Sequence, residues 1–207
     1  MSTLTDISHG APASAVLLTA IIVASLIGLQ ARPALIERNL LRPHGLVQRG
    51  DYATLVTSGF IHADIAHLLF NGFTFWAFGF GLERAIGSTR LVVLYAVGLL
   101  ASSVGTWLKH RHEPDYRSLG ASGAILAVLF ASIVYFPGGS IYILPIPVPI
   151  PAPLFAVAYL GYTWFASRHA RGRINHDAHL SGALAGLAFV VVTDPAALTR
   201  AIRTLSG

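Results

Sequence analysis

The chain contains six apolar runs, each about 16 to 20 residues long, separated by short polar stretches. At a rise of about 1.5 Å per residue, a helix of this length spans about 24–30 Å, close to the thickness of the hydrocarbon core of a bilayer. Charged residues make up only 11% of the sequence, against roughly 25% in ordinary soluble domains. The sequence therefore predicts an all-α membrane protein with six transmembrane helices.

The polar connections set the expected limits of these helices and of the flanking tails. The predicted helices cover residues 13–29, 63–82, 91–108, 119–136, 152–167 and 178–193. They form one membrane domain over residues 13–195, between a short N-terminal tail (1–12) and a short basic C-terminal tail (196–207). No Lys or Arg precedes the first run. Because a cleavable signal peptide has a basic n-region, we expect this run to be a retained helix.

The connection between the fourth and fifth predicted helices carries proline at alternate positions from Pro145 to Pro151. Each proline removes a backbone donor and restricts the residue before it, so this connection cannot be helical. We expect an extended or polyproline segment over residues 137–151, acting as a stiff linker at the membrane surface.

Composition excludes several classes of function. Without cysteine, the chain cannot form disulfides, thiolate nucleophiles or Cys-based zinc sites. Its formal charge of +5 comes from 14 Lys and Arg against 9 Asp and Glu. These cations are scattered in short loops rather than gathered with stacking aromatics. We therefore expect contact with the lipid bilayer and no nucleic-acid partner.

Polar residues inside apolar helices are energetically costly, so they are candidate functional residues. Ser122 lies in the sequence Gly-Ala-Ser-Gly where the fourth predicted helix begins, and the glycines leave its hydroxyl uncrowded. His179 lies one turn inside the sixth predicted helix, where a neutral imidazole can act as a base near pH 7. In isolation, the small residues also indicate tight helix packing, and the histidine also indicates an interhelical hydrogen bond.

A second polar pair occurs in the second predicted helix. His67 and Asn71 are four residues apart and therefore share one helix face. Side-chain donors so placed can stabilise an oxyanion, or they can hydrogen-bond a neighbouring helix. His62 lies about 140° round the helix from His67, so we expect it to face elsewhere. We expect His176, near the membrane interface, to be a surface residue.

Topology brings these groups together. The second, fourth and sixth helices begin on the same side of the membrane, because the number of crossings between them is even. His67, Ser122 and His179 each lie about one turn below that side. Gly182 and Gly186 permit close packing of the sixth helix, which brings His179 near the fourth. A serine, a base and two donors at one depth are the components of a nucleophilic catalyst.

As a set, these motifs resemble the rhomboid family. The pattern H-x-x-x-x-H-x-x-x-N, followed by G-x-S-G and then A-H-x-x-G, is highly specific when all three parts occur in this order. The matching stretches are residues 57–62, 67–71, 81–84 with 87–88, 120–123 and 178–182.

The resemblance implies an intramembrane serine endopeptidase that cleaves transmembrane segments of other membrane proteins. It implies that Ser122 is the nucleophile and His179 the general base of a dyad that has no acid. It also implies that His67, Asn71 and the backbone N–H of Ser122 bind the oxyanion, with no cofactor and no metal. The partners it implies are transmembrane protein substrates, often with small residues at the cut.

Two positions depart from the common family pattern. Bacterial relatives often carry a Trp-Arg pair in the first loop, where residues 47–50 of this chain are Val-Gln-Arg-Gly. An aromatic residue four positions after the nucleophile commonly packs against the base. Here that position is Leu126, so we expect no such ring stacking on His179. Neither change removes a chemical group that turnover requires.

Charge and resemblance predict opposite orientations in the membrane. The active-site side carries the larger share of Lys and Arg, which the positive-inside rule would place in the cytoplasm. The resemblance instead places the active site on the extracytoplasmic side of a cell (inner) membrane. We follow the resemblance, because part of the first loop can lie within the membrane interface.

Other functions fit parts of the sequence. A non-catalytic rhomboid-like module that binds membrane proteins for quality control typically lacks the serine or the histidine, and both are present here. A metal-dependent transporter or protease would use His62, His67, His176 and His179, but the H-E-x-x-H motif of zincins is absent. A purely structural membrane module would leave His67, Asn71 and His179 unexplained.

Overall fold

A computed structural model describes residues 10–143, 146–169, 172 and 174–207 of the chain. Residues 1–9, which form most of the predicted N-terminal tail, lie outside the described residues. The described chain is predominantly helical and contains one β-hairpin.

The first part of the chain pairs one long helix with several short ones. Helix α1 is Pro12–Leu26, and a π-helical turn at Ile27–Ala31 extends it. The loop that follows contains α2 (Pro33–Asn39), α3 (Leu46–Arg49), α4 (Thr54–Thr57) and a 3-10 turn at Ser58–Phe60.

The rest of the chain is dominated by longer helices. These are α5 (Ile65–Ile86), α6 (Ser88–His110), α7 (Ser122–Tyr135), α8 (Ala152–His169), α9 (His176–Thr193) and α10 (Pro195–Ser206). Among the described residues, four helices are long and apolar enough to cross a membrane, namely α1 with its π-helical turn, α5, α6 and α9. Helix α7 is apolar but has only 14 residues. An all-α, multi-pass membrane protein is thereby confirmed in outline.

The prediction that residues 83–90, between the second and third predicted helices, form a polar turn is wrong. Helix α5 continues to Ile86 and α6 begins at Ser88, so that only Gly87 separates them. Gly87 has a φ of +84°, a left-handed conformation that glycine adopts without a steric cost. The chain therefore reverses over a single residue.

Glu83 does not end α5, because its buried carboxylate is fully engaged. It accepts the backbone N–H groups of Ala13 (2.9 Å) and Ser14 (2.7 Å), near the start of α1, and the hydroxyl of Ser88 (2.6 Å). The first N–H groups of a helix have no acceptor within it. Glu83 thus caps α1 from a distant part of the sequence.

Helix α9 packs closely against α7, as the two glycines predicted. A Cβ atom at Gly182 would collide with the carbonyl of Gly123, and one at Gly186 would collide with the carbonyl of Ala127. Only glycine allows the backbones to approach this closely. The prediction that these glycines bring α9 against the fourth helix is confirmed.

The proline-rich connection is extended over residues 140–143 and 146–151, as predicted, but these two segments pair with each other, and residues 144–145 lie outside the described residues. Strands β1 (Ser140–Ile143) and β2 (Ile146–Pro151) form an antiparallel hairpin. The sequence did not reveal the pairing, because alternate prolines usually oppose it.

Strand β2 accommodates Pro149 and Pro151 because these two residues fall on the outer side of the hairpin. Ala152 donates its N–H to the carbonyl of Gly139 at 3.0 Å. Because successive N–H groups of a strand point in opposite directions, Ile150 also points its N–H toward β1. Pro149 and Pro151 therefore occupy positions that face away from β1. The outer edge of β2 lacks donors there, which opposes pairing with a further strand.

The predicted C-terminal tail folds as α10. Its Ala197 and Ala201 are buried, whereas Leu198, Ile202 and Leu205 are exposed along one stripe. An amphipathic helix of this kind suits the interface between membrane and water.

Candidate active site

Ser122 and His179 lie within hydrogen-bonding distance, with 3.0 Å between Ser122 Oγ and His179 Nε2. Ser122 is the first residue of α7, and His179 lies one turn inside α9. The close packing of α9 on α7 brings the two side chains together. This geometry allows Nε2 to accept the hydroxyl proton of the serine.

The start of α9 is fixed by Asn175. Its Oδ1 accepts the N–H of Ala178 at 3.0 Å, which satisfies one of the free N–H groups of the first turn. Its Nδ2 donates to Thr106 Oγ1 (2.9 Å) in α6 and to Ser118 Oγ (3.0 Å) before α7. Asn175 therefore connects three segments and holds the turn that carries His179.

Asp177 ties the same turn to the end of α6. One of its carboxylate oxygens lies 3.0 Å from Lys109 Nζ and the other lies 2.9 Å from His110 Nε2. Asp177 is the nearest acid to His179 in the sequence, but its carboxylate is engaged with these two side chains.

The second ring nitrogen of His179 contacts a tyrosine. Tyr159 in α8 places its Oη 3.1 Å from His179 Nδ1. The histidine ring is thus held at both nitrogens, by Ser122 on one side and by Tyr159 on the other.

Asn71 in α5 borders the same cavity as Ser122 and His179. Its Nδ2 lies 2.9 Å from His62 Nε2. An amide group carries two hydrogens, so one contacts His62 and the other remains available to a ligand. His62 therefore orients the donor that the sequence assigned to the oxyanion.

The protonation of His62 follows from its neighbours. Its Nε2 faces two N–H donors, Asn71 Nδ2 and the backbone N–H of Ala121 (3.4 Å), and must therefore be the acceptor. Its Nδ1 then carries the hydrogen and donates to Ser25 Oγ at 2.9 Å. Burial, aided by the charge of His67, lowers the pKa of His62 to about 3, so the ring is neutral at physiological pH.

The expectation that His62 faces elsewhere is wrong. Helix α5 begins only at Ile65, after Asp64 has capped it by accepting the N–H of His67 at 2.7 Å. The helical angle therefore does not apply to His62. The chain instead turns back, and the His62 ring meets the His67 ring edge-on, with 4.8 Å between their centroids.

His67 packs against the loop that leads into Ser122. Gly120 in this loop has a φ of +120°, and a Cβ atom there would collide with the His67 ring. The N–H of Gly120 is held by the carbonyl of Ser58 at 2.9 Å. His67 therefore lies at the entrance to α7, two residues from the nucleophile candidate.

The start of α7 offers free backbone donors. Ile125 is the first residue of the helix whose N–H has an intrahelical acceptor, the carbonyl of Ala121 at 3.0 Å. The N–H groups of Ser122, Gly123 and Ala124 precede it and have no intrahelical acceptor. The partial positive charge of a helix N-terminus favours an anion at this position.

A largely apolar cavity of about 600 Å³ opens beside these groups. It lies between α5, α7, α8 and the hairpin, and its apolar walls include Phe70, Phe73, Phe78, Leu126, Leu129 and Phe155. The cavity brings Ser122, His179 and Asn71 into one site, but His67 does not line it.

The expectation that His176 is a surface residue is wrong. His176 is the first residue of α9 and is only 8% exposed. The ring of Tyr162, on α8, covers it at a centroid distance of 5.5 Å. The helix begins two residues earlier than predicted, which draws His176 into the protein.

The histidines do not form a metal site in the described part of the chain. No group of three or more His, Cys, Asp or Glu side chains there is placed to hold a metal ion. His62 instead pairs with Asn71, and His179 with Ser122.

Comparison with known families agrees with the motifs. The family model described as the rhomboid domain matches residues 49–195, which is more than half of the chain. The chain belongs to the rhomboid family.

Three rhomboid relatives illustrate the range of the similarity. RHOMBOID-like protein 12, mitochondrial, from Arabidopsis thaliana is 31% identical over 65% of this chain and 44% of its own length. Rhomboid protease GluP from Bacillus subtilis is 33% identical over 44% of this chain and 17% of its own length. The human presenilin-associated rhomboid-like protein, mitochondrial, is 30% identical over 66% of this chain and 36% of its own length. The chain thus spans less than half the length of each of these relatives.

Sequence reasoning on this rhomboid protein missed the contacts of two residues with the candidate site. His62 is the first histidine of the H-x-x-x-x-H-x-x-x-N pattern. If the chain before Asp64 is taken as non-helical, His62 can fold back toward Asn71, as the structure shows. Tyr159 carried no signal, because a tyrosine in an apolar helix is common. Its contact with His179 arises only from the packing of α8 beside α9.

Proposed function

We propose that this chain is an intramembrane serine endopeptidase that cleaves transmembrane segments of other membrane proteins. Ser122 is the nucleophile and His179 the general base. His67, Asn71 and the backbone N–H of Ser122 stabilise the oxyanion. The observation that carries the proposal is the 3.0 Å contact between Ser122 Oγ and His179 Nε2 at the edge of a cavity that also exposes Asn71.

The reaction is acyl transfer in two halves. Ser122 Oγ attacks the scissile carbonyl carbon while His179 Nε2 takes the hydroxyl proton, and the carbonyl electron pair moves onto the oxygen. The intermediate collapses with cleavage of the C–N bond, and His179 returns the proton to the leaving nitrogen. A water molecule then attacks the acyl-enzyme with His179 as base, which releases the acid product and regenerates Ser122.

The negative oxygen of each intermediate requires nearby donors. The second amide hydrogen of Asn71 and the free N–H of Ser122 at the start of α7 are suitable for this role. His67 lies beside Gly120 and has to turn its ring toward the cavity to donate. We therefore expect His67 to contribute after substrate binds.

The apolar cavity supports the substrate class. Its walls are mostly aromatic and aliphatic, and its polar lining residues include Asn71, Ser122, Tyr159 and His179. A transmembrane segment is mostly apolar and must expose one peptide bond to these groups. The cavity volume of about 600 Å³ accommodates a few residues of such a segment rather than a whole helix.

We further propose that the membrane domain covers residues 13–195 and crosses a cell (inner) membrane six times, through α1, α5, α6, α7, α8 and α9. Helix α7 crosses with only 14 residues, because the hairpin and the loop before Ser122 complete its span. The active site faces the extracytoplasmic side. The wild-type chain has no cysteine, so Asp115→Cys and Arg203→Cys each introduce a single labelling site. Labelling of these variants from either side of intact vesicles tests the orientation.

Labelling with a fluorophosphonate probe tests the nucleophile. We expect the purified protein to be labelled in detergent, Ser122→Ala to remain unlabelled, and Ser132→Ala to be labelled normally. Ser132 lies in the same helix and is buried, so it controls for loss of a helix hydroxyl. A folded wild-type protein without labelling would favour the alternative, a non-catalytic rhomboid-like module that binds membrane proteins.

A further inference from the structure

We propose that Tyr159 is a positioning residue for the His179 base. This inference rests on the proposed function, because it assigns a role within the same site. The hydroxyl of Tyr159 holds Nδ1 of His179 and thereby aims Nε2 at Ser122. Tyr159 takes the position beside the histidine that an acid occupies in a catalytic triad.

The geometry places two partners on opposite nitrogens of one ring. Tyr159 Oη lies 3.1 Å from His179 Nδ1, and Ser122 Oγ lies 3.0 Å from His179 Nε2. An imidazole held at one nitrogen alone can pivot about its side-chain bonds. The second contact removes this freedom, which favours the orientation that proton transfer requires.

The carboxylate nearest to His179 in sequence is not available for this role. Asp177 binds Lys109 and His110 at the end of α6. The His176 ring approaches the His179 ring edge-on, with 6.1 Å between their centroids, and offers it no hydrogen bond among the described residues. Leu126, one turn after Ser122, is aliphatic and supplies no ring. Tyr159 is therefore the hydrogen-bonding group that fixes the back of the base.

The chemistry fits a neutral hydroxyl. When Nε2 accepts the Ser122 proton, Nδ1 must carry the other ring hydrogen, and Tyr159 Oη can accept it. A hydroxyl can also donate, so it is compatible with either tautomer of the His179 ring. Tyr159 therefore fixes the direction of the ring more strongly than it fixes the tautomer. We therefore expect a smaller contribution than that of a carboxylate in a triad.

Tyr159 is itself held firmly. Its ring stacks on Phe155 at a centroid distance of 5.4 Å and meets Phe130 of α7 at 5.9 Å. These contacts involve the ring and not the hydroxyl. Tyr159→Phe therefore preserves the packing and removes only the contact with His179.

Kinetics of Tyr159→Phe test the inference. With a model transmembrane substrate in proteoliposomes, we expect kcat and the rate constant of fluorophosphonate labelling to fall about 5- to 10-fold, as the loss of one neutral hydrogen bond implies. We expect KM to stay unchanged, because a positioning residue acts on the chemical step. Thermal unfolding of each variant is measured in parallel.

Tyr135→Phe provides the matched control. It removes a tyrosine hydroxyl of the same kind, 3.0 Å from Asp194 at the opposite end of α7, and should leave kcat and labelling unchanged. An unchanged kcat in Tyr159→Phe would overturn the inference, as would an effect on KM alone or an equal loss in Tyr135→Phe. If wild type is itself neither labelled nor active, the proposed function fails first.

Discussion

The two ends of α7 both gather polar side chains, but they differ in how fully those side chains are satisfied. At the end of α7, Asp194 accepts hydrogen bonds from Tyr135 (3.0 Å), Arg200 (3.0 Å) and the N–H of Ala197 (3.1 Å). At the start of α7, Ser122 meets His179 beside an open cavity. The polar group at the end of α7 is closed, in the sense that its carboxylate is occupied by groups of the protein. The group at the start of α7 keeps hydrogen-bond donors free.

We interpret this difference as one between structural polar residues and candidate catalytic ones. Glu83 and Asp194 join helix ends, and their oxygens are occupied by groups of the protein itself. Asn71 and the N–H of Ser122 retain hydrogen-bonding capacity toward the cavity. A polar group in a membrane is costly unless it is paired, so free donors at a cavity indicate that a ligand completes them.

Apart from loss of Ser122 itself, replacing the base should produce the largest effect. We expect His179→Gln to lower turnover at least about 10³-fold, because Ser122 then has no group to take its proton. The protein should unfold at a temperature close to that of wild type. Cleavage of a model transmembrane substrate in proteoliposomes measures the effect.

His176→Gln separates the two neighbouring histidines. His176 lies at the start of the same helix, where the Tyr162 ring covers it, and we expect the variant to retain turnover within a few-fold of wild type. Comparable losses in the two variants would mean that the whole turn, and not His179 alone, supports activity.

Removal of an oxyanion donor should have the next largest effect. We expect Asn71→Ala to lower kcat about 10²- to 10³-fold, since one such donor typically contributes this much. His67→Ala should also slow turnover without abolishing it. Wild-type rates in both variants, with folding verified by thermal unfolding, would make the pair structural and remove the contrast between the two ends.

Turnover should rise with pH until the base is neutral. Only a neutral imidazole can take the Ser122 proton, so the rate should rise through the mildly acidic range and reach a plateau near neutrality. His62, with its pKa lowered to about 3, stays neutral throughout and does not contribute. A maximum below about pH 5 would exclude His179 as the base.

Changing Glu83, whose partners all belong to the protein itself, should affect stability and leave chemistry intact. Glu83→Ala removes the acceptor of the Ala13 and Ser14 N–H groups, and we expect it to lower the free energy of unfolding by about 1–3 kcal/mol. The rate per folded molecule should equal that of wild type. Glu83→Gln retains one acceptor oxygen and should destabilise less. A fall in kcat at unchanged stability would show that the Glu83 group is coupled to the site.

The sequence predicted what local pattern determines. Apolar length placed the main helices, and the spacing of Gly182 and Gly186 predicted the close contact with α7. The G-x-S-G and A-H-x-x-G motifs identified the residues that the structure brings within 3.0 Å of each other. These features depend on short stretches of sequence and on the topology of antiparallel helices.

Long-range contacts could not be predicted in the same way. Glu83 looked like the end of a helix, because a charge in an apolar run usually marks an interface. Its burial is explained by its contacts with the start of α1 and with Ser88. Tyr159 gave no sign of its contact with His179. The orientation of His62 was wrongly predicted because helical geometry was applied to residues that precede Ile65, where α5 begins.

The most direct measurement compares wild type, Ser122→Ala and Ser132→Ala in the cleavage of one model transmembrane substrate in proteoliposomes. We expect wild type and Ser132→Ala to cleave at similar rates, and Ser122→Ala to yield no product while unfolding at the wild-type temperature. Cleavage by Ser122→Ala at the wild-type rate would contradict the assignment of Ser122 and His179 as nucleophile and base.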